Sequence, residues 1–305
     1  MDSSQLVQSF GAITVWKKGD QRAPHKPLLV LYMLGRLSRG ESGPVSFDTI
    51  DQGVGQLLDE FGPSRRTHAR LPFWYLQNDG LWQLTNISRD PDLPLGSPPS
   101  KTTLRGQGVS GRFPEELERA LVSNPDLIRQ VAQQMLADNF PETIHEDILQ
   151  AVGLDLTLPA SPIQAASAGT RTPRNPAFRE RVLQAYEYRC AVCGFDVRLG
   201  NAPIALEAAH IKWHQAGGPD EEPNGLALCS LHHKLFDRGA FSLDEDLRLL
   251  VSESAHGSGG FDHWLMQFHG KRIQRPQRTR YMPDHEYRAW HVREVFHGAA
   301  REFMI

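Results

Sequence analysis

The chain has 305 residues, of which 40% are hydrophobic and 23% charged, with a formal net charge of −3 at pH 7. This is an ordinary soluble composition, and the length suits two domains. No run of about 18 apolar residues is present, which excludes a membrane-spanning helix. The N-terminus lacks the basic and apolar regions of a secretory signal, so we expect a cytoplasmic protein. Three cysteines argue against a disulfide framework and leave metal binding open.

The charge is unevenly distributed along the chain. Three stretches carry several basic residues and no acid: 62–70, 101–112 and 270–280. Segregated basic stretches can follow a phosphate backbone even when the total charge is negative. The alternative is that they are solvated loops.

Two helices are predicted early in the chain. The stretch 23–40 has Pro27 in its first turn, a nearly continuous apolar run and Gly40 at its end, which indicates a buried helix. The stretch 46–63 begins with Ser46 as N-cap. Its apolar side chains fall on one side: Phe47, Ile50, Val54, Leu57 and Leu58.

A hairpin is predicted next, with two aromatic-rich runs on either side of Asp79-Gly80 in residues 73–85. Helical patterns follow, the middle one capped by Asn124, at about 114–122, 125–138 and 141–151. The periodicity then ends in a stretch rich in Ala, Ser, Pro and Thr. We interpret residues 156–175 as a linker between domains 1–155 and 176–305.

The second domain mixes short helices and strands. The pattern predicts an opening helix from about 176, a cysteine knuckle at 190–194 and a strand near 203–211. It then predicts a Gly/Pro-rich loop at 217–225, a short helix at about 230–238, and two short strands around an acidic turn. Both domains together are therefore of the α+β class.

All three cysteines fall into knuckles. Cys190 and Cys193 form a C-x2-C pair, and Cys229 with His232 forms a C-x2-H pair. Three thiolates and one imidazole make a closed tetrahedral set suited to a structural Zn²⁺. The alternative is buried structural cysteines beside a surface histidine.

His210, Asn224 and His233 follow one another on the predicted strand, loop and helix. Over about residues 176–245 the chain resembles the HNH endonuclease family, whose ββα-metal motif has these residues in this order. In the zinc-stapled branch of that family, metal-binding pairs bracket the motif as the knuckles do here. The resemblance implies that His210, Asn224 and His233 are catalytic.

Phosphodiester hydrolysis needs an activated water and neutralisation of the charge that develops on the phosphate. A neutral His210 can accept the proton of the water. His233 and Asp237, one helical turn apart, can hold a divalent ion such as Mg²⁺ or Mn²⁺. Ala209 replaces the usual ligand before the first histidine, so Glu207 on the same strand face is a candidate ligand. Asn224 either binds the ion or holds the loop.

The stretches "WKKGDQRAPHKPLLVLYMLGRL" and "SRRTHARLPFWYLQNDGLWQL" resemble the sulfur-binding domain. This domain precedes HNH domains in type IV restriction enzymes directed at phosphorothioated DNA. The resemblance covers about residues 5–160. It implies a mixed helical and β-hairpin DNA-binding domain ahead of the ββα-metal domain with its structural zinc.

Sulfur is larger and softer than oxygen, so a pocket that prefers it should be an apolar cup with cations at its rim. The resemblance implies that a proline and its neighbours form the cup and that a histidine and a basic residue close it. The candidate residues are His25, Lys26, Arg66, Arg70, Leu71, Pro72, Phe73 and Tyr75.

These patterns predict a DNA endonuclease of a restriction system that selects phosphorothioated double-stranded DNA. One alternative is an HNH nuclease for another mark, such as methylated cytosine, or for unmodified DNA. Another is a non-catalytic, zinc-stabilised DNA-binding regulator. One active site per chain suggests a homodimer for a double-strand cut, although a monomer that nicks twice would also serve.

Overall fold

The computed structural model describes residues 3–15, 19–63, 68–88, 97–156 and 177–303. It divides into two compact units, one formed mainly within residues 3–156 and one mainly within 177–303. Of the predicted linker, residues 156–175, all positions after 156 lie outside the described residues. Among the helices of the described part, none is long and apolar enough to cross a membrane.

The first unit is mostly helical around a small sheet. In chain order its elements are α1 Ser3–Gly11, α2 His25–Ser38, β1 Val45–Ser46, α3 Phe47–Phe61, α4 Arg70–Tyr75, β2 Gln83–Thr85, α5 Lys101–Gly106, β3 Ser110–Arg112, α6 Glu115–Ser123, α7 Pro125–Asn139 and α8 His145–Val152. The strands form an antiparallel sheet in the order β1-β3-β2. A Cβ on Gly111 in the middle strand would lie 2.3 Å from the Trp82 ring, so this close packing requires glycine.

Helices α2 and α3 confirm the sequence prediction. The apolar run of α2 is buried from Leu28 to Leu31, as expected for a helix surrounded by others. Ser46 caps α3, since its side chain accepts a hydrogen bond from the Thr49 amide. The three later helices also form, and Asn124 caps α7 as predicted.

The predicted hairpin at 73–85 is wrong. Its first half is α4 followed by a 3-10 turn at Leu76–Asp79, and Gly80 ends that turn with φ +73°. Only the second half forms a strand, β2, which pairs with β3. Phe73 and Leu76, three residues apart, are both buried on one helical face. The aromatic residues are therefore packed as a helix, although their β propensity favours a strand.

The second unit places its central hairpin between helices. In chain order its elements are α9 Phe178–Ala185, β4 Arg198–Leu199, β5 Ala202–Pro203, β6 Leu206–His210, β7 Gly225–Cys229, α10 Ser230–Asp237, β8 Phe241–Leu243, β9 Leu249–Val251, α11 Gly259–Trp264 and α12 His285–Glu294. Strands β6 and β7 are antiparallel and lead into α10, which makes a ββα unit.

Strand β7 was not predicted, because all five of its residues are buried and no alternation marks it as a strand. Helix α9 contacts both β6 and β7, and α10 contacts them as well. The predicted opening helix, strand, short helix and final strand pair correspond to α9, β6, α10 and β8-β9. Helices α11 and α12 were not predicted.

Candidate functional site

The three signature residues lie on the ββα unit, at the end of β6, directly before β7 and on α10. His210 is the last residue of β6, and the strand register places it opposite Gly225, directly after Asn224. Asn224 ends a 3-10 turn, Glu222–Asn224, that leads into β7. His233 lies in the first half of α10, which packs against both strands.

Asn224 is fully buried and holds the two ends of the loop that joins β6 to β7. Its amide nitrogen donates to the carbonyl oxygens of Lys212 at 3.0 Å and Pro219 at 2.9 Å. Its amide oxygen accepts a hydrogen bond from the Lys212 N–H at 2.8 Å. A Cβ on Gly218 would lie 1.8 Å from the Lys212 carbonyl oxygen, so the loop also needs glycine at that position.

The imidazole of His210 is held on two sides. Its Nε2 atom lies 2.8 Å from Oδ1 of Asp220. Its ring stacks on Phe178 with a centroid distance of 4.1 Å and an interplanar angle of 16°. Since a carboxylate accepts only, Nε2 carries the proton and the lone pair of the neutral ring is on Nδ1.

The imidazole of His233 lies between two carboxylates. Nδ1 is 2.5 Å from Oε2 of Glu207, and Nε2 is 3.1 Å from Oδ2 of Asp237. Burial lowers the pKa of His233, but Asp237 and Glu207 outweigh it and raise the pKa to about 9. The hydrogen bond from His233 lowers the pKa of Glu207 in turn. Without a metal, this ring is therefore a protonated cation at neutral pH.

Imidazole and carboxylate oxygen are suitable ligands for a divalent ion, so the chemistry of this group fits the expected catalytic metal. Glu207 and Asp237, however, contact opposite edges of the same ring. An ion on one ring nitrogen therefore has one of these carboxylates beside it. The other carboxylate remains to accept the proton of the second nitrogen, an arrangement that commonly orients histidine ligands.

The four knuckle residues form one cluster, with ligand atoms all within 4.8 Å of one another. Sγ of Cys193 and Cys229 are 3.9 Å apart, and Nδ1 of His232 is 3.8 Å from Sγ of Cys190 and 3.1 Å from Sγ of Cys229. Ligand atoms about 3.7 Å apart are expected around a tetrahedral ion with bonds of about 2.3 Å. The cluster can therefore hold a metal ion.

Further contacts prepare this cluster for metal binding. Nε2 of His232 lies 2.9 Å from the carbonyl oxygen of Trp264, which fixes Nδ1 as the nitrogen that faces the sulfurs. Hydrogen bonds from Cys193 and then Cys229 lower the pKa of the Cys190 thiol. Burial lowers the pKa of His232, but Cys190 and Cys229 raise it to about 9 overall. Metal binding must therefore displace a proton from His232.

The residues predicted to read sulfur lie in different surroundings. Nζ of Lys26 forms an ion pair with Asp79 at 2.6 Å and donates to the carbonyl oxygen of Thr14 at 2.9 Å. This pair joins the start of α2 to the turn after α4. Phe73 is fully buried, with its ring centroid 5.0 Å from that of Phe47, so it belongs to the core.

The remaining candidates include both buried and accessible residues. Arg70 donates to the carbonyl oxygens of Pro98 and Pro99. Pro72 is buried, Leu71 is exposed, and His25 and Tyr75 are half-buried. Arg66 lies outside the described residues.

Sequence reasoning missed two residues that contact His210. Asp220 is one of three acids in "GGPDEEPNG", and no pattern in this loop distinguishes it from Glu221 or Glu222. Phe178 looks like an ordinary apolar residue of an amphipathic helix. Both become recognisable only when the loop and α9 meet at His210.

Each unit contains a match to a known protein family. Residues 3–157 match the family model described as "ScoMcrA-like, DNA sulfur-binding domain", and residues 190–244 match the model described as "HNH endonuclease". A search of curated proteins found no match.

Several solved structures also resemble the chain. "Sulfur binding domain of ScoMcrA complexed with phosphorothioated DNA" is 21% identical with a TM-score of 0.43, covering 48% of this chain and 94% of that one. "Sulfur binding domain of SprMcrA complexed with phosphorothioated DNA" is 20% identical with a TM-score of 0.43, covering 50% and 95%. "Structure of the Type IV phosphorothioation-dependent restriction endonuclease ScoMcrA" is 20% identical with a TM-score of 0.41, covering 48% and 28%.

The match to the sulfur-binding model takes in just over half of the chain, and the HNH match lies entirely within the second unit. The protein therefore belongs to the ScoMcrA-like DNA sulfur-binding domain family, with an HNH endonuclease domain following that domain in the same chain.

Proposed function

We propose that the protein is a restriction endonuclease that recognises phosphorothioate-modified double-stranded DNA and hydrolyses its phosphodiester bonds. The observation that carries this proposal is the presence of a DNA sulfur-binding domain and an HNH endonuclease domain in one chain. The alternatives, a reader of another modification and a non-catalytic regulator, are not favoured. A regulator would have no need of His210, Asn224 and His233 around one hairpin. A DNA substrate agrees with the cytoplasmic location expected from the sequence.

In the proposed reaction, His210 is the general base. A water oxygen attacks phosphorus, the bond to the 3′ oxygen breaks, and Nδ1 of His210 takes the proton of the water. Asp220 accepts the Nε2–H, so it selects this tautomer and stabilises the imidazolium that forms. Stacking on Phe178 sets the plane of the ring. The side-chain amide of Asn224 is hydrogen-bonded to backbone groups, so Asn224 positions the loop that carries Asp220.

We propose that a divalent ion, Mg²⁺ or Mn²⁺, is held by His233 and by one of its two carboxylate neighbours. The ion would neutralise the charge that develops on the phosphate and on the leaving oxygen. Glu207 is the more accessible carboxylate, with 40% of its side chain exposed against 2% for Asp237. Glu207 therefore lies on the side from which a DNA phosphate can approach, and Asp237 is suited to orient the ring from behind.

Two isosteric variants distinguish these roles. If Glu207 is the ligand, Glu207→Gln should raise the Mn²⁺ concentration needed for half-maximal cleavage more than Asp237→Asn does. The reverse order would assign the ion to the Asp237 side of the ring. Manganese binding followed by electron paramagnetic resonance gives a readout that does not depend on turnover.

For the cluster of Cys190, Cys193, Cys229 and His232, we propose a structural Zn²⁺. All four side chains serve as ligands, so a tetrahedral ion there has no open position for a substrate. Its expected role is to stabilise the second unit, which consists of short strands and helices.

For recognition of the mark, we propose that the surface around the start of α2 and around α4 reads the sulfur. Leu71, Pro72 and Tyr75 would supply apolar contacts, and His25, Arg66 and Arg70 the rim. The structure supports a positioning role for Lys26, because its ammonium group is already paired with Asp79. Phe73 would support this surface from the core.

The test is to incubate matched plasmids, phosphorothioated, methylated and unmodified, with the full chain and Mg²⁺ or Mn²⁺. Cleavage confined to the phosphorothioated plasmid is expected. Cleavage of the methylated plasmid alone would favour the other-mark alternative, and binding without cleavage would favour the regulator. We also propose that two chains act on one duplex, so double-strand cutting should rise more steeply than linearly with protein concentration.

A further inference from the structure

The basic strap, residues 270–280, lies outside both family matches, since the HNH match ends at residue 244. Its sequence, GKRIQRPQRTR, contains five basic residues and no acid. Ile273 and Pro276 are buried, whereas Arg275, Arg278 and Arg280 are exposed. The strap therefore exposes cationic side chains, while its two buried residues anchor its backbone.

Backbone hydrogen bonds attach the strap to the nuclease core. The Gln274 N–H donates to the carbonyl oxygen of Ala191 at 2.8 Å, inside the cysteine knuckle. The Gln277 N–H donates to the carbonyl oxygen of Ala185 at 2.8 Å, at the end of α9. Helix α9 carries Phe178, which stacks on His210, at its other end, about 10 Å along the helix axis.

The strap continues toward the loop that joins β6 to β7. Its last residues enter the 3-10 turn Thr279–Tyr281, which packs against the turn Glu222–Asn224. Just beyond, the Asp284 N–H donates to the carbonyl oxygen of Pro223 at 3.0 Å. The strap thus runs from the metal-binding knuckle, past α9, to the turn that contains Asn224.

Two charges of the strap are not neutralised by a neighbouring acid. Within the part of the chain that the structure describes, Arg275 and Arg278 make no ion pair and no side-chain hydrogen bond. The acids of the neighbouring turn have other partners: Glu222 lies 3.4 Å from Arg181, and Glu221 accepts from the Tyr287 hydroxyl at 2.7 Å.

Two other basic residues of the strap do have partners. Arg272 is paired with Asp246 at 3.2 Å, and Arg280 donates to the Tyr281 hydroxyl at 2.7 Å. The strap therefore contains paired and unpaired arginines on one backbone. This allows the loss of an available charge to be compared with the loss of a paired one.

We propose that the basic strap binds the phosphate backbone of the DNA duplex beside the scissile phosphate, through Arg275 and Arg278. This inference rests on the proposed function for the identity of the substrate. Exposed guanidinium groups on a fixed backbone suit phosphate oxygens and impose no base sequence. The strap would hold the duplex on the nuclease unit independently of the sulfur mark.

The experiment measures how DNA affinity depends on salt, using the full chain with His210→Ala to prevent cleavage. Each phosphate contact contributes about 0.9 to the slope of log affinity against log salt concentration. Arg275→Gln/Arg278→Gln should therefore reduce the slope by about 2 on both modified and unmodified duplexes. Arg275→Lys/Arg278→Lys should retain the slope, because the charge remains.

Arg272→Gln is the matched control, since its guanidinium already has a partner, and it should change the slope by much less. An unchanged slope in the double glutamine variant, with its thermal unfolding like that of the parent, would overturn the proposal. An equal reduction in Arg272→Gln would overturn it as well, because the effect would then reflect general charge.

The experiments distinguish a failure of the proposed function from a failure of the strap proposal. If the wild-type chain does not cut phosphorothioated plasmid but the double glutamine variant still loses slope, the strap binds DNA and the proposed reaction is wrong. If the wild type cuts and the slope does not change, the reaction stands and the strap has no such role.

Discussion

The contact between Asp220 and His210 gives the sharpest prediction about the reaction. The pair is mostly buried, with 12% of each side chain exposed, and the two atoms are 2.8 Å apart. A hydrogen bond to a charged group contributes about 1.5–3 kcal/mol. In the proposed reaction His210 takes the proton of the attacking water, so this contribution is strongest in the transition state. Asp220→Asn should therefore lower the cleavage rate by about 10- to 150-fold.

The assay is single-turnover cleavage of phosphorothioated plasmid at saturating protein, which separates the chemical step from binding. DNA affinity and thermal unfolding should be unchanged in Asp220→Asn. Asp246→Asn, which removes an exposed acid of the same unit, should cut at the normal rate. Adding Asp220→Asn to His210→Ala should cause no further loss, since Asp220 acts through His210. A normal rate in the single variant, or additive losses in the double variant, would refute the reasoning.

Three further predictions concern stability. Cys190→Ser should abolish the bound metal measured by mass spectrometry and remove the unfolding transition of the second unit; retained metal would contradict the assignment. Lys26→Met should destabilise the first unit by about 2–4 kcal/mol in urea denaturation, because it leaves the buried carboxylate of Asp79 without its cationic partner, and Lys26→Met/Asp79→Asn should recover most of the loss. Burial lowers the pKa of His291 from 6.5 to about 3. Below about pH 6.5 the unfolded chain therefore binds a proton that the folded chain does not. The wild type should lose about 2 kcal/mol more stability than His291→Gln between pH 7 and pH 5, and equal losses would show that His291 does not carry this dependence.

Short-range patterns in the sequence determined the elements and ligands that depend on neighbours along the chain. The helix predicted from 46–63 forms because its cap and apolar face are local features. The knuckle pairs are local as well, since two ligands separated by two residues can turn toward one ion without help from distant parts of the chain. Both family resemblances rested on such stretches, and the family matches agree with them.

Local patterns failed where burial on several sides hid the periodicity. Residues 73–75 have aromatic side chains that favour a strand by propensity, yet packing of Phe73 and Leu76 into the core makes this segment helical. Strand β7 is apolar at every position because helices cover it, so alternation could not identify it.

Only the tertiary structure decided how the candidate residues act on one another. The sequence by itself determined that His210, Asn224 and His233 are present in order, and that four side chains could bind one metal. It could not show that Asp220 reaches His210 or that Glu207 contacts the edge of the His233 ring opposite Asp237. These contacts join residues on separate strands, loops and helices, and their distances depend on how those elements pack. The sequence thus shows which residues could act as bases or metal ligands, whereas the partners that set their protonation and orientation depend on the packed fold.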